Sequence, residues 1–143
     1  MKRLEHLELV EAGPEDVPAM AAMTEALIAE EGGGPQAPDS VAEDLAEHMA
    51  AGFRAVLFRL ADALAGYAMF LATPKSTFLN HFFVSPEHRR GGLGRTAFLR
   101  LRTEFFAPGR PVTLSVMDTN PGGIAFWQAL GFRQTSINME LAP

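Results

Sequence analysis

The hydrophobic period of this chain changes from helical to extended at Gly52, and that change restricts the fold more than any other feature. From Pro14 to Gly52 the apolar residues recur at helical spacing; from Phe53 to Val84 they alternate or run together as in strands. Residues 14–31 set Val17, Met20, Ala21, Thr24, Leu27 and Ile28 on one helical face, with Pro14 and Pro18 tolerated near the first turn. Gly32-Gly33-Gly34-Pro35 stops that helix and opens a loop through Pro38. Ser40-Val41-Ala42-Glu43 reads as a capping box, and Val41, Leu45 and Met49 form the stripe of a second helix. Residues 53–60 and 64–71 read as two strands around an Ala61-Asp62-Ala63 turn, and residues 77–84 as a third. A helix over 92–106, a strand over 112–117, a helix over 121–130 and a last strand over 132–141 complete the pattern. With a short strand ending at Val10, the order is β-α-α-β-β-β-α-β-α-β. That order predicts an α/β (α+β) fold, a mixed central sheet flanked by helices, in a single domain spanning 1–143.

Several chemistries are excluded at once. The chain has no cysteine, so a disulfide scaffold, a thiolate zinc site and a cysteine nucleophile are absent. No His-Glu-x-x-His occurs and no two histidines stand four apart, so no metal is expected. Ser85 lies outside any G-x-S-x-G, which disfavours a serine triad. No apolar run approaches the ~18 residues of a membrane span, and Met1 to His6 carries no secretory apolar segment, so the cytoplasm is the expected compartment, with no membrane partner.

The net charge of −5 argues against nucleic acid as a partner. Its distribution is lopsided. Residues 1–52 hold twelve acids and two bases, whereas residues 53–143 hold five acids and ten bases, nine of them arginine. Arginine suits bidentate contact with phosphate. The split reads either as a solvated surface or as an anion site in the second half facing a cation site in the first.

The anion site has a specific location. In the run from Asn80 to Arg95, a strand enters a polar loop and glycines stand where a helix begins. Glycines there let backbone N–H groups approach a ligand, and the helix N-terminus adds partial positive charge. Arg89, Arg90 and Arg95 flank them, as a pyrophosphate would require. No Gly-Lys-Ser/Thr follows, so the loop is not a Walker loop. Gly92-Leu93-Gly94-Arg95-Thr96-Ala97 matches a dinucleotide pattern, but seven residues separate Val84 from Gly92, too many for that turn.

Arg89-Arg90-Gly91-Gly92-Leu93-Gly94 instead resembles the R/Q-x-x-G-x-G/A signature of the Gcn5-related N-acetyltransferases, the GNAT superfamily. The run from Asn120 to Phe132 is similar to a second family signature, N-x-x-A-x-x-F-Y-x-x-x-G-F. The resemblance implies acetyl-CoA as co-substrate, lying where strands 77–84 and 112–117 splay apart. It implies that backbone groups of Phe83 and Val84 bind the pantetheine arm, with the Val84 N–H polarising the thioester carbonyl. It further implies that the backbone of Arg90, Gly91, Gly92, Leu93, Gly94 and Arg95 cradles the pyrophosphate and that Asn120 contacts the arm from the other side. The expected reaction is direct transfer of an acetyl group to a primary amine of a small molecule or peptide.

Catalytic groups are fewer. Many family members carry a tyrosine acid where this chain has Trp127, whose indole N–H is no acid at working pH. Trp127 then reads as core packing, and the thiolate leaves unassisted, with water, or with another group's help. His81 has an ordinary pKa near 6.5, and is read either as general base or as a strand histidine bonded to its neighbours. His6, His48 and His88 read as surface residues. Glu30, Glu31, Asp39, Glu43, Asp44 and Glu47 flank the loop that the resemblance puts on the acceptor side, which points to a cationic amine. The alternative is a catalytically weak CoA-binding sensor or interaction module. The sequence leaves the assembly open, a homodimer included.

Overall fold

The computed structural model describes residues 4–37 and 39–143; the first three residues, and Pro38 in the predicted loop, lie outside them. Strand β1 (Leu7–Glu11) leads through a 3-10 turn at Pro14–Asp16 into helix α1 (Val17–Glu30), followed by α2 (Ser40–Ala50). Strands β2 (Arg54–Leu60), β3 (Ala63–Ala72) and β4 (Thr77–Val84) then form an antiparallel meander. A 3-10 turn at Pro86–His88, helix α3 (Leu93–Glu104), strand β5 (Val112–Thr113) and helix α4 (Pro121–Ala129) complete the described elements. The sheet runs β1-β2-β3-β4-β5, antiparallel except for the parallel β4–β5 pair.

Both faces of the central strands are covered, which explains why β2 reads as a continuous apolar run rather than an alternation. Val56, Phe58, Ala68, Phe70 and Leu79 pack on one face with Leu93, Ala97, Phe98 and Leu101 of α3. Leu57, Tyr67, Met69 and Phe83 pack on the other with Met20 and Met23 of α1 and Val41 and Leu45 of α2. Each fully buried large side chain contributes about 1.5–3 kcal/mol relative to exposure, so α1, α2 and α3 are held by these contacts more than by their caps.

Three expectations are corrected. The capping box at Ser40 does not form: Asp39 occupies the N-cap position at φ 67°, and the Ser40 hydroxyl donates to the Ala37 carbonyl at 2.9 Å. The strand expected over 112–117 pairs only at Val112 and Thr113, because β4 and the chain beyond Thr113 diverge. The strand expected over 132–141 does not form among the described residues: Phe132 is half-buried in the core, but 133–143 are exposed and pair with nothing. Ile137, Met139 and Leu141 alternate with polar residues there, and alternation without a ladder partner leaves a strand unformed.

Candidate active site

Parallel pairing between β4 and β5 joins Thr77 to Val112 and Phe78 to Thr113 and then stops. Beyond that point the two segments part, leaving an opening between residues 79–84 and 114–117. A second irregularity sits in β4. Met69 pairs with His81 but Phe70 pairs with Leu79, so Asn80 is an extra residue. The bulge reverses the alternation of faces. Leu79 joins the α3 side, while His81 and Phe83 turn toward α1 and α2.

The end of β4 faces two ways. Ser85 N–H donates to the Ala65 carbonyl at 2.8 Å, which puts Ser85 and Phe83 on the β3 side of the ladder. Val84, between them, points its N–H and carbonyl toward the opening. Arg89 caps that carbonyl, Nε to O 2.7 Å, while its Nη2 reaches Glu30 at 2.6 Å and its guanidinium lies 5.5 Å over the Phe83 ring. Of the two residues expected to offer backbone here, Val84 does so and Phe83 has its amide engaged with Tyr67.

Gly92 has φ +83°, a left-handed conformation that starts α3 without a side-chain cap. The first α3 hydrogen bond closes from Thr96 N–H to the Gly92 carbonyl, which leaves the Leu93, Gly94 and Arg95 N–H groups without intrahelical acceptors. A side chain at Gly94 would put its Cβ 3.2 Å from the Phe126 ring, so glycine lets α4 close against this turn. Arg90, itself at φ +66°, Gly91 and Arg95 are exposed beside it. Unpaired helix-start N–H groups, a positive helix end and two exposed arginines suit a pyrophosphate.

Across the opening, Asn120 caps α4: its Oδ1 accepts from Gly123 N–H at 3.0 Å. Trp127 is half-buried, with ring centroids 5.1 Å from Phe82, 4.8 Å from Phe126 and 5.3 Å from Phe132, all edge-on. It is a packing residue.

His81 belongs to a hydrogen-bonded chain that the sequence did not suggest. Thr24 Oγ1 lies 2.8 Å from the Met20 carbonyl and 2.7 Å from the Tyr67 hydroxyl, which lies 3.0 Å from His81 Nδ1. The protons can be counted. A carbonyl only accepts, so Thr24 donates its single proton to Met20. Tyr67 must then donate to Thr24 and accept from His81. Neutral His81 therefore carries its proton on Nδ1, and Nε2 holds the free lone pair. Burial, with the neighbouring His48 adding a smaller effect, pushes the His81 pKa down to about 4. Burial likewise holds the Tyr67 phenol well above its ordinary value, so it stays protonated.

Two histidines expected on the surface are not there. His48 is half-buried, its ring 6.5 Å from that of His81, and donates from Nδ1 to the Asp44 carbonyl at 2.6 Å. His88 is buried because the Pro86–His88 turn folds it inward, and neither ring nitrogen has a hydrogen-bond partner among the described residues. His6 is exposed, as read. Of the acids, Glu30 is paired with Arg89, whereas Glu31 is close enough to Tyr67 to act on its phenol. Loss of surrounding water, then Glu30, raise the Glu31 pKa. Asp39, Glu43, Asp44 and Glu47 are exposed.

The comparisons agree with this architecture. The profile of the acetyltransferase (GNAT) family matches residues 20–132. An acetyltransferase from Thermus thermophilus superposes with a TM-score of 0.78 at 26% identity, covering 93% of this chain and 90% of that one. A possible acetyltransferase from Clostridium difficile gives 0.76 at 18% identity, over 96% and 97% of the two chains. A predicted acetyltransferase from Clostridium acetobutylicum, solved with acetyl-CoA, gives 0.71 at 14% identity, over 95% and 96%. No curated protein sequence matches this chain. A family match over most of the chain, on a five-stranded mixed sheet that opens between β4 and β5, makes this protein a member of the GNAT acetyltransferase family.

Proposed function

We propose that the chain moves an acetyl group from acetyl-CoA directly to a primary amine of a small molecule or peptide. The observation that carries this reading is the end of β4, where the Val84 N–H looks into the opening beside the uncapped start of α3. The acetyl-CoA bound to the Clostridium acetobutylicum protein supports the choice of co-substrate. When bound, acetyl-CoA supplies an activated thioester; the chain's task is to hold it and manage protons. The Leu93, Gly94 and Arg95 amides, with Arg90 and Arg95, would hold the pyrophosphate. Asn120, through its Nδ2, would reach the pantetheine arm. The Val84 N–H would donate to the thioester oxygen as negative charge grows there.

His81 is the proposed base. At neutral pH it is already unprotonated, and the proton count leaves Nε2 as its accepting atom. A base this weak does not deprotonate an ammonium ion. It accepts the proton from nitrogen once bond formation has made that nitrogen acidic, and the amine enters neutral. Tyr67 is bound between Thr24 and His81, and Trp127 is no acid, so the thiolate takes its proton from water. Negative potential from Glu31, Glu43, Asp44 and Glu47 would gather the acceptor as its ammonium ion, which gives one proton to water before the neutral amine attacks.

A second reading, a CoA-binding module with little turnover, is favoured by Trp127 standing in place of an acid. One assay separates them: thiol released from acetyl-CoA in the presence of a panel of amines. Turnover with at least one amine, falling roughly 10²-fold or more in His81→Ala with CoA affinity unchanged, is expected. Binding of CoA without thiol release from any amine would leave the second reading standing.

A further inference from the structure

Gly66 stands in β3 where a side chain has no room. Its φ is not in the left-handed region, so no turn calls for glycine there. Space is what forbids a side chain: a Cβ would overlap the Phe83 carbonyl oxygen and lie 3.0 Å from the carbonyl carbon and 3.1 Å from the Phe58 ring. No other described glycine brings an added Cβ so near to backbone. The register around it is irregular. Phe58 pairs with Gly66 but Arg59 pairs with Leu64, so Ala65 is an extra residue in β3. Across β3, Gly66 faces Val84, between the Tyr67–Phe83 pair and the Ser85 N–H bond to the Ala65 carbonyl.

The Phe83 carbonyl and the Val84 N–H belong to one planar trans peptide and point in opposite directions. A carbonyl drawn in against Gly66 therefore sends the N–H outward, into the opening between β4 and residues 114–117. We infer that Gly66 is a positioning residue: its missing side chain sets the direction of the Val84 N–H. The inference rests on the reading of that N–H as the donor to the thioester oxygen. A methyl group at 66 would meet backbone, not a side chain that could swing away. Ladder bonds pin β4 on both sides of this point, so the strain goes into tilting the Phe83–Val84 peptide. A tilted donor misses the oxygen as charge develops there, and a misplacement of about 1 Å costs about 10²-fold in rate.

Gly66→Ala in the full chain tests this, read by NMR at the Val84 amide and by kinetics. CoA has the pantetheine arm without the thioester carbonyl. The change in the Val84 1H–15N signal between the CoA and acetyl-CoA complexes therefore reports the bond to that oxygen. The native chain should show the change. Gly66→Ala should lose it, with kcat for the best amine down about 10²-fold and CoA affinity unchanged. Ala68→Gly loosens the same strand without adding an atom to the contact; it should lower Tm and leave the signal and kcat as they were. A native chain without the change, or a Gly66→Ala variant that loses it at full kcat, refutes Val84 as the donor and the inference with it. A native change that survives in Gly66→Ala overturns the inference alone. So does its loss in Ala68→Gly, because a loosened β3 would then be enough. If no amine turns over, the Val84 signal decides alone. Should Gly66→Ala be unfolded at room temperature, the signal is measured in the cold with acetyl-CoA present; a variant folded under neither condition overturns the inference, since the glycine then serves the whole sheet.

Discussion

Tyr67→Phe removes one oxygen and should change the proton on a neighbouring ring. In the native chain that hydroxyl donates to Thr24 and accepts from His81 Nδ1. Thr24 keeps its bond to the Met20 carbonyl in the variant, so its loss is one accepted bond. His81 loses more, because its half-buried Nδ1–H is left without an acceptor. An unpaired buried donor costs about 1–3 kcal/mol, and phenylalanine refills almost all the volume. The expected loss of stability is therefore about 1–3 kcal/mol, or about 3–9 °C in Tm for a chain of this size. The ring has one escape: moving its proton to Nε2. That movement abolishes the free lone pair on the atom proposed to accept the substrate's proton.

The assay is 15N NMR of the imidazole ring nitrogens at neutral pH, alongside thermal melting. Native His81 should show a protonated Nδ1 and an unprotonated Nε2. The variant should show mixed or reversed tautomers, with thiol release slowed while CoA affinity holds. A native ring protonated on Nε2 would refute the proton count itself, independently of any activity. A variant that keeps both the Nδ1 proton and full stability would show that Tyr67 does not set the tautomer.

Acid should destabilise the fold through His81. Its folded pKa, about 4, lies below the ordinary 6.5, so the unfolded chain binds the extra proton first and stability falls as pH drops through that window, by about 3 kcal/mol in all; urea titrations from pH 7 to pH 4 should show the loss, and His81→Asn should lack that component. Arg90→Ala and Arg95→Ala should each weaken CoA by about 1–3 kcal/mol in calorimetry, whereas Arg89→Ala should chiefly lower Tm, because its guanidinium is already bonded to Val84 and Glu30. Neutralising Glu43, Asp44 and Glu47 together should raise KM for the best cationic amine and flatten its salt dependence; an unchanged KM and salt profile would remove these acids from acceptor capture.

Most elements were legible because local chemistry announces them. The glycines and Pro35 end α1, the apolar stripe marks α2, and the arginine–glycine loop marks the start of α3. What stayed hidden depends on pairing across the sheet. A strict period of two puts Leu79, His81 and Phe83 on one face, and nothing local reveals that Asn80 is extra; only the register against β3 does. The Thr24–Tyr67–His81 chain hid for the same reason, since it joins α1, β3 and β4. His88 and His48 were misjudged because a histidine's exposure is set by how a turn or a neighbouring strand covers it. The stretch 132–141 shows the converse: a strand pattern is legible without a strand being formed, because a pattern states a face to bury and not what will bury it.

The division of charge along the sequence also acquires a different meaning in three dimensions. Twelve acids in the first third and nine arginines beyond Phe53 suggest two separate fields. Glu30 and Arg89 instead form a seam between them, at 2.6 Å, joining the end of α1 to the loop after β4. With 39% and 41% of the two side chains exposed, such a pair adds at most about 1 kcal/mol of stability. Its effect is positional. The guanidinium that meets Glu30 also holds the Val84 carbonyl, and with it the plane of the Val84–Ser85 peptide. The end of α1 and the end of β4 are thereby tied to one side chain. Arg89 therefore links the loop after β4 to the end of α1, whatever it contributes to the proposed anion site beside Arg90 and Arg95.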